Sequence, residues 1–185
     1  IGKQLCRALE VAHEQGVIHR DIKPQNMVVE PNGFLKVMDF GIARLASRKP
    51  ESGVTQAGMI IGTPEYMAPE QLSGAEVDQR VDIYAAGCVL YECLTGAPAF
   101  VGEGATALFA KVLIEEAPHA RAARDAVSPA LDSLVAQMLH KEPDRRPADL
   151  RAIAQELRSL GAQAPVELLR LGIDFISDRP LAARA

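Results

Sequence analysis

The sequence predicts a mainly α-helical domain that carries one small β-hairpin. Apolar residues recur at helical spacing in several stretches, among them Leu5, Ala8, Leu9 and Ala12 near the start and Leu150, Ile153, Leu157 and Leu160 towards the end. A further stretch, Val81 to Thr95, is apolar nearly all round, which suits a helix at the centre of a core and not one on a surface. Against these stand two short β-type runs, Met27-Val28-Val29 and Phe34 to Met38, joined by Glu30-Pro31-Asn32-Gly33, a turn with a glycine available for positive φ.

Taken in order, the first helix opens at Ile1 without an N-cap, as if cut through an element, and Gly16 is its expected stop. Val17-Ile18 is a short strand candidate, and the hairpin follows. Residues 42–61 lack periodicity and predict a long loop; loops of that length inside a compact domain usually carry function. Gly96 ends the central helix, and Ala105 to Glu115 is a shorter amphipathic one. Ser128 caps the next helix, with Pro129 at its first position and Leu131, Leu134, Val135, Met138 and Leu139 on one face. Pro147 precedes the last helix, which Gly161 stops, so the expected division is a domain over 1–161 and a tail or linker over 162–185.

Composition narrows the function classes. With 185 residues, 48% hydrophobic and 24% charged, the chain is long and apolar enough for a folded core. A net charge of −4 gives no basis for nucleic-acid binding by bulk electrostatics. Cys6, Cys88 and Cys93 form no metal spacing and read as reduced, buried thiols, which points to a cytoplasmic setting. The longest apolar run, Ile83 to Leu94, is interrupted by Glu92 and is far shorter than the roughly 20 residues that span a bilayer. A membrane anchor would have to lie elsewhere in a longer parent. Gly102-Glu103-Gly104-Ala105-Thr106-Ala107 matches a dinucleotide-binding pattern but sits between two helices, so it reads as a linker. His13, His119 and His140 show no partners at ligand spacing and read as surface or helix residues.

Three blocks carry the chemistry: His19-Arg20-Asp21-Ile22-Lys23-Pro24-Gln25-Asn26, then Asp39-Phe40-Gly41, then Gly62 to Glu70 (Gly-Thr-Pro-Glu-Tyr-Met-Ala-Pro-Glu). About a dozen fixed positions in this order are not matched by accident when each residue type has roughly 5% usage. The blocks resemble the catalytic loop, metal-binding loop and activation-segment end of a serine/threonine protein kinase, most nearly the bacterial enzymes of eukaryotic type. The resemblance covers about residues 1–160 and implies a protein-kinase-like fold, specifically its helical C-terminal lobe.

The resemblance makes Asp21 the base that receives or orients the proton of the acceptor hydroxyl, and Lys23 the cation that reaches the transferring phosphate. Asn26 and Asp39 would hold Mg2+ (with Mn2+ as an alternative) on the phosphates of ATP, since both supply hard oxygen ligands. Thr63 resembles the threonine that bonds the catalytic Asp and Lys, and with Glu65 it would shape the pocket for a protein Ser or Thr. His19, Phe40 and Gly41 would brace the two loops. Glu70 would pair with Arg146, Asp82 would bond the catalytic-loop backbone, and Gly87 would allow close packing. Arg20, helped by Arg44, would bind a phosphate on the activation loop. Thr55, alone or with Ser52, is the expected phosphosite, because the second Thr of the bacterial Thr-x-Thr pattern is here Ala57 and the position four before Thr63 is Met59.

These residues contain no Gly-rich phosphate loop, no Val-Ala-Ile-Lys lysine and no glutamate to pair with it. The expectation is therefore an N-terminal lobe supplied by a parent chain, and negligible turnover from the 185 residues alone. Two other readings compete: a non-catalytic pseudokinase or interaction module, for which no degenerate catalytic position speaks, and a kinase-like small-molecule phosphotransferase, which the Gly62–Glu70 block disfavours.

Overall fold

The computed structural model describes residues 1–40 and 64–161. Within them seven helices surround one core, and a two-stranded antiparallel sheet lies at its edge. Helix α1 (Gly2–Glu14) buries Leu5, Cys6 and Leu9. It ends in a Schellman motif: Gly16, at φ +71°, donates its N–H to His13 O at 2.9 Å, and Val17 donates to Ala12 O at 2.9 Å. That cap turns the chain at once into the 17–23 loop. Val17-Ile18, expected as a strand, has no ladder partner among the described residues and is not a strand there.

Strands β1 (Met27–Val29) and β2 (Leu35–Val37) pair in the register Met27↔Val37, Val28↔Lys36 and Val29↔Leu35. The expected second strand is trimmed at both ends, where Phe34 and Met38 are exposed. The Gln4 amide of α1 holds the turn like a short extra strand, donating to Gly33 O at 3.0 Å and accepting from Leu35 N at 2.7 Å. At the open end Met38 N donates to Asn26 O at 2.8 Å, so the register places Asp39 just beyond Asn26.

Helix α2 (Pro69–Ser73) is a short helix that leads towards the central α3 (Arg80–Thr95). Every residue of α3 from Val81 to Leu94 is buried, as all-round apolarity requires, and Asp82 and Glu92 are buried with them. Around it stand α4 (Ala105–Ile114), α5 (Ala120–Ala123), α6 (Pro129–Met138) and α7 (Leu150–Gly161). Ser128 Oγ accepts from Leu131 N at 3.3 Å as the cap of α6, and Asp149 Oδ1 accepts from Ala152 N at 2.8 Å at the start of α7. The two one-turn helices α2 and α5 carry no periodicity that a sequence could announce.

Helix α1 packs along α7 and against α3, which packs in turn on α6. Gly87 permits the last contact: a Cβ there would lie 2.9 Å from Met138 Cβ. An ion-pair cluster closes α1 on α7. Glu10 accepts from Arg151 Nε at 2.6 Å and Arg7 at 2.7 Å, and Arg151 also reaches Glu14 at 2.9 Å. The three cysteines are buried, and burial pushes the Cys6 and Cys88 thiols up to about 12, which removes them as nucleophiles. No helix among the described residues is long and apolar enough to cross a membrane.

Candidate active site

The loop between α1 and β1 is anchored from below by buried Ile22 and Pro24 and from behind by Asp82. The fully buried Asp82 carboxylate accepts the backbone N–H of His19 on Oδ2 and that of Arg20 on Oδ1, both at 2.8 Å. Arg20 sits at φ +66°, a region that non-glycine residues enter only under constraint. The strained loop is thus pinned by a side chain more than sixty residues away.

His19 is buried and uses both ring nitrogens. Nε2 donates to Met38 O at 2.9 Å, and Nδ1 accepts from Asp21 N at 3.3 Å, a pattern that places the proton on Nε2. Its ring stacks obliquely on Phe40, centroids 4.7 Å apart. One imidazole therefore ties the 17–23 loop to the chain just after β2.

Asp21 Oδ2 is gripped from two sides, by Lys23 Nζ at 2.9 Å and Asn26 Nδ2 at 3.0 Å. The same Asn26 amide nitrogen donates to Asp21 O at 2.8 Å, so both its hydrogens are committed to Asp21 and the amide is fixed with Oδ1 left to accept or ligate. Asp21 Oδ1 has no hydrogen bond among the described residues, and the side chain is 43% exposed. Asp39 sits at φ +55°, exposed, with no ion pair among the described residues. Asn26 Oδ1 and the Asp39 carboxylate thus fit a hard divalent ion that takes oxygen ligands.

Glu65 lies in the 3-10 turn Pro64–Tyr66, and its Oε2 is buried without a partner among the described residues. Next to it Tyr66 donates its hydroxyl to Glu92 Oε2 at 2.5 Å. Glu70 meets Arg146 in a buried bidentate pair at 2.6 and 2.8 Å. Gly41, Arg44, Thr55 and Thr63 lie outside the described residues, as do the 42–61 loop and the 162–185 tail.

Three functional contacts were not expected. His13, read as a partnerless helix residue, bonds Asp82 Oδ2 through Nε2 at 2.7 Å. Gln71 donates to Arg20 O and accepts from Ala68 N, each at 3.0 Å, and so ties α2 to the 17–23 loop. Glu92 pairs with Tyr66. His119 and His140 also have partners, Asp132 Oδ2 at 2.8 Å and Glu142 N at 3.1 Å. Only Glu92 left a trace in the sequence: a charge in a buried helix needs a partner. The other contacts join distant segments, and no local pattern reports them.

A buried helical body thus holds a lysine- and asparagine-braced aspartate, with a second, exposed aspartate at the mouth of the hairpin. The chain belongs to the protein kinase domain family, which it matches over residues 1–158. It is 43% identical over 167 residues to the serine/threonine-protein kinase pkn3 of Myxococcus xanthus, covering 86% of this chain and 30% of that protein. It is 46% identical over 151 residues to the serine/threonine-protein kinase PknB of Mycolicibacterium smegmatis, covering 80% and 24%. Identity to the serine/threonine-protein kinase PknD of Mycobacterium tuberculosis is also 46%, over 147 residues, covering 79% and 22%. The chain therefore has the domain type of bacterial serine/threonine kinases and spans less than a third of the length of these relatives.

Proposed function

We propose that this chain supplies the acceptor-side and metal-side half of a serine/threonine protein kinase active site, which moves the γ-phosphoryl group of ATP to a protein hydroxyl. The observation that carries this reading is the grip on Asp21: one carboxylate oxygen held by Lys23 and Asn26, the other open to a hydroxyl. In the transfer, the substrate oxygen bonds the γ-phosphorus, the bond from phosphorus to the β–γ bridging oxygen breaks, ADP leaves, and the hydroxyl proton goes to Asp21. Lys23 offsets negative charge at the transferring phosphate. Asn26 and Asp39 would hold Mg2+, which neutralises phosphate charge when bound.

Positioning dominates such catalysis, which is why the loop is tied down at so many points. Asp82 fixes the His19 and Arg20 amides, His19 links the loop to the Asp39 segment, and Gln71 joins it to the segment that carries Glu65. Arg20, whose guanidinium has no partner among the described residues, fits a contact with phosphate on the activation loop, with Thr55 as the candidate phosphosite and Arg44 as a second contact. The N-terminal lobe that covers the nucleotide would come from the parent chain. Full-length protein with Mg-ATP and a generic basic protein substrate should yield phosphoserine or phosphothreonine by mass spectrometry, and Asp21→Asn should reduce the rate by about 100- to 10,000-fold. Phosphorylation of the substrate that does not depend on Asp21 would overturn the reading.

A further inference from the structure

We infer that Gln71 is a positioning residue for phosphoryl transfer: its side-chain amide sets the plane of the Arg20–Asp21 peptide and locks that plane to the 64–68 segment, which carries Glu65. The inference rests on the kinase reading above. Asp21 is aimed by the peptide that precedes it, and that peptide has two polar groups, Arg20 O and Asp21 N. The N–H end makes a 3.3 Å bond to His19 Nδ1, longer than the usual range for an N–H donor. The Asp82 carboxylate does not reach this plane, since it takes the N–H groups of His19 and Arg20, two and one peptide units earlier. The carbonyl end is the firm hold. Its one hydrogen bond among the described residues comes from Gln71 Nε2, at 3.0 Å. Arg20 stands at φ +66°, outside the backbone basins that would keep the plane in place unaided.

Gln71 is itself held. Its Oε1 accepts from Ala68 N at 3.0 Å, so with Nε2 on Arg20 O both ends of the amide are committed and its orientation is fixed. Its backbone N–H donates to Ala68 O at 2.9 Å, and Glu70, the residue before it, is anchored to the body by the buried pair with Arg146. One amide thus accepts from the chain that carries Glu65 and donates to the chain that carries Asp21. A carboxylate at this position would keep only the first bond, and an ammonium only the second. Without the donor, Arg20 O loses its partner, the peptide plane turns about its Cα–Cα axis, and Asp21 shifts relative to a hydroxyl presented from the 64–68 side.

The test compares full-length wild type with three variants: Gln71→Glu, which keeps the bond to Ala68 N and loses the donor; Gln71→Met, which loses both without adding charge; and Gln71→Lys, which keeps a donor and loses the acceptor. Gln71→Glu and Gln71→Met should each lower kcat about ten- to a hundredfold, the scale of an ångström-sized misplacement, with KM for ATP and for the protein substrate within about twofold of wild type. Gln71→Lys should keep kcat within about threefold of wild type, a smaller loss than such a misplacement produces. Hydrogen exchange should show the Asp21 amide opening faster in Gln71→Glu and Gln71→Met while the amides of α3 stay protected. A merely structural Gln71 would instead lower Tm and leave kcat within about twofold of wild type at temperatures below unfolding, and that result overturns the proposal. So does Gln71→Lys being as slow as Gln71→Met at equal Tm. If wild type itself transfers no phosphate, the kinase reading fails on its own; faster Asp21 exchange in Gln71→Met then still supports the hold on the peptide, and unchanged exchange overturns it.

Discussion

Arg146 offers the sharpest stability test, because its guanidinium spends every donor it has. Nε donates to His140 O at 2.8 Å, the first terminal nitrogen to Glu70 Oε1 at 2.6 Å and Arg80 O at 3.0 Å, and the second to Glu70 Oε2 at 2.8 Å and Lys141 O at 3.0 Å. The guanidinium is buried and also lies over the Tyr84 ring, 4.9 Å from its centroid. Arg146→Met removes five hydrogen bonds and leaves a buried Glu70 carboxylate without its cation. Breaking one side of a buried pair costs about 3–5 kcal/mol, and the three abandoned carbonyls place this case at the upper end, about 4–5 kcal/mol. For a domain of this size that is a fall in Tm of roughly 10–20 °C. Glu70→Gln should cost less, about 2–3 kcal/mol, since Arg146 keeps its three carbonyls and a neutral acceptor. The double change Glu70→Met with Arg146→Met should be milder than the sum of the single ones by at least about 1 kcal/mol, because the isolated charge is gone. Urea unfolding of all variants at pH 7 measures these differences. An Arg146→Met loss below about 1 kcal/mol, or strict additivity in the cycle, would refute the reasoning.

Three further outcomes follow from the packing. Gly87→Ala sets a Cβ 2.9 Å from Met138 Cβ and 3.2 Å from Leu139 Cδ2. The overpacking of about 1–3 kcal/mol should outweigh the roughly 1 kcal/mol gained in helix propensity, so a raised urea midpoint would contradict the α3–α6 contact. The Tyr84 hydroxyl is buried without a partner among the described residues, so Tyr84→Phe should be neutral or up to about 1 kcal/mol more stable, and a loss above about 1 kcal/mol would show that the hydroxyl is bonded. The Arg151 hydrogen bond, aided by Arg7, holds the Glu10 carboxyl below its usual value of 4.5. Its stabilisation is therefore present above that value and lost as pH falls through the lower folded one. Arg151→Met should lower Tm at pH 7, and the difference from wild type should shrink on acidification; a difference independent of pH would discard the ion pair as its cause.

What the sequence disclosed and what it hid divide along contact range. Helical spacing in α1, α6 and α7 and the all-round apolarity of α3 are local patterns, and each element formed where its pattern lies. Val17-Ile18 misled because two apolar residues satisfy a strand pattern as well as they satisfy a Schellman cap, and only a ladder partner could separate the two. Asp21, Lys23, Asn26 and Asp39 stand out in the sequence because their motifs lie along one short segment, and the structure brings Lys23 and Asn26 onto Asp21. His13 was not, since its meaning lies in Asp82, 69 residues further on. Gln71 was hidden for the same reason: Arg20 is 51 residues away. Residues that carry chemistry advertise themselves in a motif, whereas those that aim them are found only through the fold.

The central claim is that Asp21 serves the acceptor while Asn26 and Asp39 serve the metal and nucleotide, and one paired measurement separates these roles. Mg-ATP affinity and single-turnover phosphoryl transfer would be followed in full-length wild type, Asp21→Asn and Asp39→Asn. Asp21→Asn should bind Mg-ATP within about threefold of wild type and lose at least about 100-fold in transfer, while Asp39→Asn should lose the Mg2+-dependent part of the binding itself. Transfer by Asp21→Asn within about tenfold of wild type, or Mg2+-dependent binding unchanged in Asp39→Asn, would contradict the account.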